Sequence, residues 1–222
     1  MQSIVFAHAG TIVATEGAHA DALDAVVRAR GMRGRDQRYV GLTDVQALEL
    51  IFQDHGLAPD PAEMRSLIDE KTAIVVERLT ATGVRTYPGA VELVTACAEI
   101  APVAICTASA SHEANRALES TGLLDVISAL VTCCDVEKNK PDPMGYRLAV
   151  QRVDAQAANS IAIEDSRNGL AAARSAGMFT VGLRHTCPDD HLIAAHVLTD
   201  RIADLSPRTL AELFANHHQT TA

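Results

Sequence analysis

From residue 84 onward the chain alternates short β-branched apolar runs with amphipathic stretches at helical spacing. That alternation restricts the fold more than any other feature of the sequence. The helix-like "VELVTACAEI" leads into the strand-like "PVAICT", and "SHEANRALESTG" leads into "VISALVTC". A helix after Pro143 leads into "SIAIED", and "NGLAAARSAG" leads into "FTVGLR" and then "HVLTD". "SPRTLAELF" ends the series, with Ser206 capping and Pro207 at the first helical position. Strands that are apolar throughout are buried on both faces, so the pattern predicts an α/β fold: a Rossmann-like parallel sheet covered by helices on both sides. "SIVFA", which runs into Gly10, predicts one more strand at the start of the chain.

The segment between these strands reads differently. "ADALDAVVRARG" carries apolar residues at helical spacing and stops at Gly31. "TDVQALELIFQDHG" opens with Thr43 and Gln46 in capping-box spacing, and "DPAEMRSLIDEKTAIVVERLTATG" opens with Asp60 as N-cap, Pro61 and Glu63. Consecutive helices without a strand predict a small all-helical cap over residues 16–83, inserted after the first strand of a core made of residues 1–15 and 84–222. In an open parallel sheet the ligand lies beyond the carboxyl ends of the strands. Four loops fall there: Ala7–Thr11, Thr107–Ser109, the stretch ending at Lys140, and Glu164–Asp165.

Bulk properties narrow the function. The 222 residues carry a net charge of -9, so no basic excess exists to neutralise a nucleic acid or an anionic membrane, and neither is expected as a partner. The first basic residue is Arg28 and no apolar run reaches the ~18 residues of a membrane span, which argues for a cytoplasmic protein. Five cysteines without a C-x-x-C pair suit reduced thiols.

The strand-end loops, taken in order, resemble the haloacid dehalogenase-like superfamily, in its helical-cap branch of beta-phosphoglucomutases and phosphoglycolate phosphatases. "AICTAS" is similar to the second motif, with Thr107 as phosphate-binding hydroxyl, and "KNKPDP" to the third, with Lys140 as phosphate-binding ammonium. "IAIEDSRNGLAAARSAGM" is similar to the fourth, with Glu164 and Asp165 as the acidic pair beside a magnesium ion. Singly, Lys140 reads as an ordinary exposed lysine and Glu164–Asp165 as a solvated turn; the ordered set makes them site positions.

The resemblance also implies D-x-D-G-T in the first loop, where the first Asp attacks phosphorus and the second moves a proton. This chain has Ala7-His8-Ala9-Gly10-Thr11 there, and Ala14 at a further Asp common in the branch. A methyl group neither attacks nor donates, so the aspartyl-phosphate route is closed at Ala7 and Ala9. With Ala7 in place the expected cofactor is none, or weakly bound Mg²⁺ on Asp165 and Glu164. Phosphate contacts are expected to survive at Gly10 and its neighbouring loop amides, Thr107, Ser109 and Lys140. Asp44 stands where the mutases carry a cap arginine, and Ala110 where they carry a lysine, so a bisphosphorylated sugar meets too little positive charge. The cap lysine of a related Schiff-base hydrolase is not expected at Lys71, read as late in a helix.

Two histidines are candidate catalytic groups. His8, in the middle of the altered loop, offers an imidazole as base or nucleophile near neutral pH; strand alternation, extended to it, instead turns it away from the face of residues 7 and 9, into packing or toward the cap. His19 sits in the first cap helix where the mutases carry a substrate-facing histidine. Cys106 joins them as a further titratable group, and the other seven histidines read as surface residues.

Three functions follow from this reading. The first is a phosphatase-like pseudoenzyme that holds a small phosphorylated or anionic metabolite between cap and core, or a protein partner. The second is an enzyme of another class, an acid/base lyase, isomerase or cyclase working through His8 and its neighbours. The third is a phosphatase disarmed by engineered alanines, against which the dispensable change at Ala14 argues.

Overall fold

The computed structural model describes residues 1–221; residue 222, the last of the expected core segment, lies outside them. Six strands form one sheet: β1 (Ser3–Phe6), β2 (Val103–Cys106), β3 (Ala129–Val131), β4 (Ser160–Glu164), β5 (Phe179–Leu183) and β6 (Val197–Thr199). Eight α-helices join them: α1 (Glu16–Arg28), α2 (Asp44–Asp54), α3 (Pro61–Thr82), α4 (Ala90–Ala98), α5 (Ser111–Ser120), α6 (Met144–Arg152), α7 (Arg167–Ser175) and α8 (Pro207–Thr221). Every strand pair is parallel, in the order β3-β2-β1-β4-β5-β6.

The strands are buried end to end because alternate residues feed two cores. Ile4, Phe6, Val103, Ile105, Ile161 and Ile163 pack with Val94 of α4 and Leu210 of α8 on one face. Val5, Ala104 and Ala162 point the other way, toward Tyr146, Ala149, Ala172 and Ala173 of α6 and α7. Small side chains on that second face let the two helices approach the sheet closely, while the branched residues fill the larger space opposite. The cap has its own core of Leu23, Val26, Val27, Leu48, Ile51, Phe52 and Leu67.

Three helix starts expected from sequence are formed. Thr43 accepts the Gln46 N–H while the Gln46 side chain receives the Thr43 N–H, a complete capping box. Asp60 accepts from the amides of Ala62 and Glu63, and Ser206 from that of Thr209. Thr43→Ala removes one side of the box, and chemical denaturation should show a loss of about 1 kcal/mol. One expected strand shrinks: "VISALVTC" yields only Ala129–Val131, because Val126 and Ile127 turn back onto Leu123.

The chain enters and leaves the cap along neighbouring backbones. Ala14 N–H bonds to Arg85 O and Tyr87 N–H to Ile12 O. From β1 the chain proceeds to β2 and β3 on one side, then crosses to β4, β5 and β6 on the other. The loops after β1 and β4 therefore diverge at the point where strand order reverses, and a crevice opens between them. The cap closes over it through contacts that include Gln46 Nε2 to Lys140 O at 3.0 Å, Asn168 Nδ2 to Val40 O at 2.8 Å, Val40 against Leu170 and Leu192, and Gly41 against Ser166. A Cβ on Gly41 would lie 2.4 Å from the Ser166 hydroxyl oxygen, so only glycine allows that approach.

Candidate functional site

The crevice beneath the cap is a cavity of about 770 Å³, large enough for a sugar-sized ligand. His8, Ala9, Thr107, Ser109, Lys140, Glu164 and Asp165 line it from the core, and His19, Asp44 and Lys71 from the cap. The structure thus brings both candidate histidines, the two hydroxyls, the lysine and the acidic pair to one space. Ala7 and Gly10 do not reach the wall; Ala7 is buried beneath it.

At the core end Lys140 lies 2.6 Å from Glu164 Oε1 and donates a second bond to Cys106 O at 3.1 Å. Glu164 also accepts from the Tyr146 hydroxyl, the amides of Asp165 and Ser166, and the Ser166 hydroxyl. Burial opposes charge on both groups, but their mutual attraction and these donors outweigh it: the lysine is held above its ordinary range and the glutamate below. A Cβ on Gly169, in the first turn of α7, would sit 1.7 Å from Glu164 Oε1, so the carboxylate occupies space that any larger residue would claim. Thr107 Oγ1 accepts the Ser109 N–H at 3.1 Å, which leaves its own O–H to donate into the cavity.

The loop after β1 is tight. His8 O accepts the amides of Thr11, Ile12 and Val13, and Gly10 N–H is spent on Val13 O. Gly10 therefore contributes shape where a phosphate donor was expected. Its φ is +78° and a Cβ there would stand 2.0 Å from Asp165 Oδ2. Because β1 ends at Phe6, strand alternation does not govern residue 8. His8 is 4% exposed, lies in the cavity wall, and has no hydrogen-bond partner on either ring nitrogen. Burial, with the Lys140 charge nearby, brings its pKa down to about 4, so the ring is neutral at pH 7.

The cap supplies a chain of polar groups. Asp44 pairs with Lys71 at 2.7 Å, and Lys71 Nζ lies 2.7 Å from His19 Nδ1. His19 is neutral, its pKa pushed down to about 3 by burial and then by Lys71. The lysine donates to Nδ1, which places the His19 proton on Nε2. Lys71 sits in mid-helix, not late in it, and faces this cavity. Its signal in the sequence is the stripe Leu67, Lys71, Val75, which are the buried residues of α3 at four-residue spacing.

Glu16 is a second group that sequence reasoning missed. Burial raises its pKa to about 7, against hydrogen bonds from its own backbone and the Tyr87 hydroxyl, and its Oε1 is without a partner. Tyr87 stacks on His185 with ring centroids 4.1 Å apart, and His185 Nε2 bonds to Gly10 O. His196, expected as a plain surface residue, is half-buried: Nδ1 accepts the Thr180 amide, and burial brings its pKa to about 4. Cys106 packs into the sheet core away from the cavity wall, and burial pushes its thiol up to about 11, which removes it as a nucleophile.

The divalent cation that the fold implies finds few ligands. Glu164 is fully engaged, Ala7 offers no side-chain oxygen, and Asp165 Oδ1 already accepts the Thr11 hydroxyl at 2.8 Å. Burial, then the Glu164 and Glu16 charges, raise the Asp165 pKa well above its ordinary value. Among the described residues no group of three or more His, Cys, Asp or Glu can hold a metal. The donor set does not fit Mg²⁺, which needs hard oxygens in octahedral array.

Comparison with known proteins agrees with this architecture. Residues 4–177 match the family model of haloacid dehalogenase-like hydrolases. The chain is 28% identical over 206 residues to validoxylamine A 7'-phosphate phosphatase of Streptomyces hygroscopicus subsp. limoneus, covering 88% of this chain and 92% of that protein. It is 31% identical over 196 residues to the plasmid-borne protein CbbY of Cupriavidus necator, covering 82% and 77%. The crystal structure of beta-phosphoglucomutase from Clostridium difficile superposes with a TM-score of 0.86 at 20% identity, over 98% of each chain. In fold and in sequence, the chain belongs to the haloacid dehalogenase-like hydrolases.

Proposed function

We propose that this protein binds a small phosphorylated or anionic metabolite between cap and core and does not hydrolyse phosphate esters by an aspartyl intermediate. One observation carries the reading. Lys140, Thr107 and Ser109 face the cavity, while the loop after β1 presents His8 and the methyl group of Ala9 there and, with Ala7 beneath, no carboxylate. Without a carboxylate at residue 7, an incoming phosphoryl group meets neither an attacking oxygen nor the repulsion that oxygen would exert. The relatives support the ligand class, because one of them is a phosphatase of validoxylamine A 7'-phosphate, a phosphate ester.

The test compares the parent with the Ala7→Asp, Ala9→Asp chain on a panel of sugar phosphates with Mg²⁺. The parent should raise its melting temperature with the esters and turn none of them over, while the restored chain gains hydrolysis. Magnesium-dependent turnover by the parent would overturn the proposal.

A second reading, acid/base chemistry of another class, is favoured by the buried His8 imidazole with both nitrogens unpartnered on the cavity. If it holds, His8→Ala removes any turnover found and leaves the melting temperature in place; turnover surviving the substitution sinks it.

A further inference from the structure

Two consecutive cysteines, Cys133 and Cys134, follow the third strand of the sheet. They open a single 3₁₀ turn, Cys133–Asp135, which brings their sulfurs to 3.9 Å of each other. The turn is fastened on both sides. Thr132 and Asp135 close a capping box across it, Arg152 holds Asp135 at 2.6 Å, and the Thr132 hydroxyl meets that of Ser111 at 2.7 Å. The two thiols are unlike. Cys134 is exposed, and the backbone and hydroxyl of Ser111, at the start of α5, hold its thiol below the ordinary value. Cys133 lies half-buried on the cavity wall, and burial, then its neighbour, push its thiol up to about 12. Cys97, Cys106 and Cys187 are buried, and burial raises each of their thiols, so none offers a comparable thiolate. An accessible thiol that ionises easily, set beside a protonated one, suits peroxide chemistry: the first reacts and the second resolves the product.

We propose that Cys133 and Cys134 form a modification site for hydrogen peroxide, closing to a vicinal disulfide that disturbs the adjoining Ser109 loop. The Cys134 thiolate attacks one peroxide oxygen and the O–O bond breaks. The sulfur becomes a sulfenic acid, and the second oxygen leaves as hydroxide, which the proton released by the thiol converts to water. The Cys133 sulfur then attacks that of Cys134, the S–O bond breaks, and the hydroxyl leaves with the Cys133 proton as a second water. The two thiols lose two electrons and two protons, and the peroxide is reduced to water. Consecutive Cα atoms are about 3.8 Å apart, short of the roughly 4.4 Å at which disulfides usually begin, so the product ring is strained and opens readily to a reducing thiol. Closing the sulfurs from 3.9 Å to about 2.0 Å turns the backbone of the pair. Cys133 N–H donates to Ser109 O at 3.2 Å, and Ser109 N–H to Thr107 Oγ1. Oxidation therefore acts on the two hydroxyl residues assigned to phosphate, a consequence that rests on the phosphate reading above.

The experiment treats the reduced full chain with hydrogen peroxide, blocks the remaining thiols and maps the cysteines by peptide mass spectrometry. The peptide holding Cys133 and Cys134 should lose two hydrogen atoms in mass, and dithiothreitol should restore them, while Cys97, Cys106 and Cys187 stay free. Cys133→Ser should leave a sulfenic acid on Cys134 that dimedone traps, and Cys134→Ser should block the modification. Thermal protection by glucose 6-phosphate should weaken on oxidation by at least about threefold in effective affinity and return on reduction. In Cys134→Ser, peroxide should leave that protection unchanged. Both thiols free after treatment, or Cys134 carried to sulfinic acid with Cys133 unpaired, overturns the site. A disulfide that leaves protection unchanged overturns the link to the Ser109 loop. A disulfide in a chain that neither glucose 6-phosphate nor inorganic phosphate protects overturns the phosphate reading and leaves the peroxide site standing.

Discussion

At pH 8 the Glu16→Gln variant should unfold at a higher temperature than the parent, by up to about 3 kcal/mol in stability, and the gain should vanish near pH 4.5. Glu16 has its pKa raised from 4.5 to about 7, chiefly by burial. Below pH 4.5 both folded and unfolded chains keep the proton and the group costs nothing. Between 4.5 and 7 the unfolded chain releases it and the folded chain does not, so stability falls as pH rises. Above 7 the folded state carries a poorly solvated carboxylate, and the penalty stays constant at about 1.4 kcal/mol for each tenfold gain in proton affinity on folding. Glutamine keeps an acceptor for the Tyr87 hydroxyl and carries no charge. Thermal unfolding of both chains from pH 4.5 to 8 checks the result; a difference that does not grow with pH would falsify the assignment. His8 works in the opposite sense. Its pKa is lowered to about 4 from 6.5, so it contributes stability above pH 6.5 that is lost as pH falls toward 4. The two windows overlap between pH 4.5 and 6.5, where their slopes oppose each other, so Glu16 and His8 together cost the fold least in that range.

The second large effect is expected at Lys140. Lys140→Ala leaves Glu164, 1% exposed, without its cation, and breaking a buried pair in this way costs about 3–5 kcal/mol. Loss of ligand protection in that variant would thus be confounded with a weakened fold. The double variant Lys140→Met, Glu164→Gln removes the charge from both sides, keeps one acceptor oxygen for the Ser166 hydroxyl and the amides of Asp165 and Ser166, turns its NH2 toward the Tyr146 hydroxyl oxygen, and should recover much of the stability. It then isolates the ligand question: a folded double variant with no thermal protection by phosphate esters assigns anion binding to the lysine. Undiminished protection would place the anion elsewhere in the cavity. A single Lys140→Ala variant as stable as the parent would show that Glu164 does not depend on the lysine.

Much of this molecule is legible in its sequence because the relevant signals are local. Thr43 with Gln46 and Asp60 with Pro61 act within one helical turn, so capping chemistry reports helix starts without tertiary knowledge. "SIVFA", "PVAICT" and "SIAIED" are apolar along their length because each strand is covered on both sides, a consequence of parallel sheet that composition records directly. Thr107, Lys140 and Asp165 became candidate site positions through the ordered resemblance of their loops to a family's motifs, and in the structure all three line one cavity.

What sequence left open depends on distances between groups far apart in the chain. Whether His8 faces packing or ligand is decided by where β1 stops and how His8 O gathers three amides, neither of which periodicity encodes. Lys71 and Asp44 are 27 residues apart and on different helices, so their pairing, and with it the proton position on His19, exists only once α2 and α3 are packed. The charge of each carboxylate follows the same rule. Glu16, Glu164 and Asp165 are all acidic residues in the sequence, yet burial raises the pKa of Glu16 to about 7 and that of Asp165 well above its ordinary value, while Lys140 and its hydrogen-bond donors hold that of Glu164 below. The sequence by itself determined the parallel sheet and the helical insertion, and it places alanine at residues 7 and 9. Only the tertiary structure decided which of the remaining charges are cancelled and which are free to meet a ligand, because solvation and ion pairing are properties of the packed space and not of the residue.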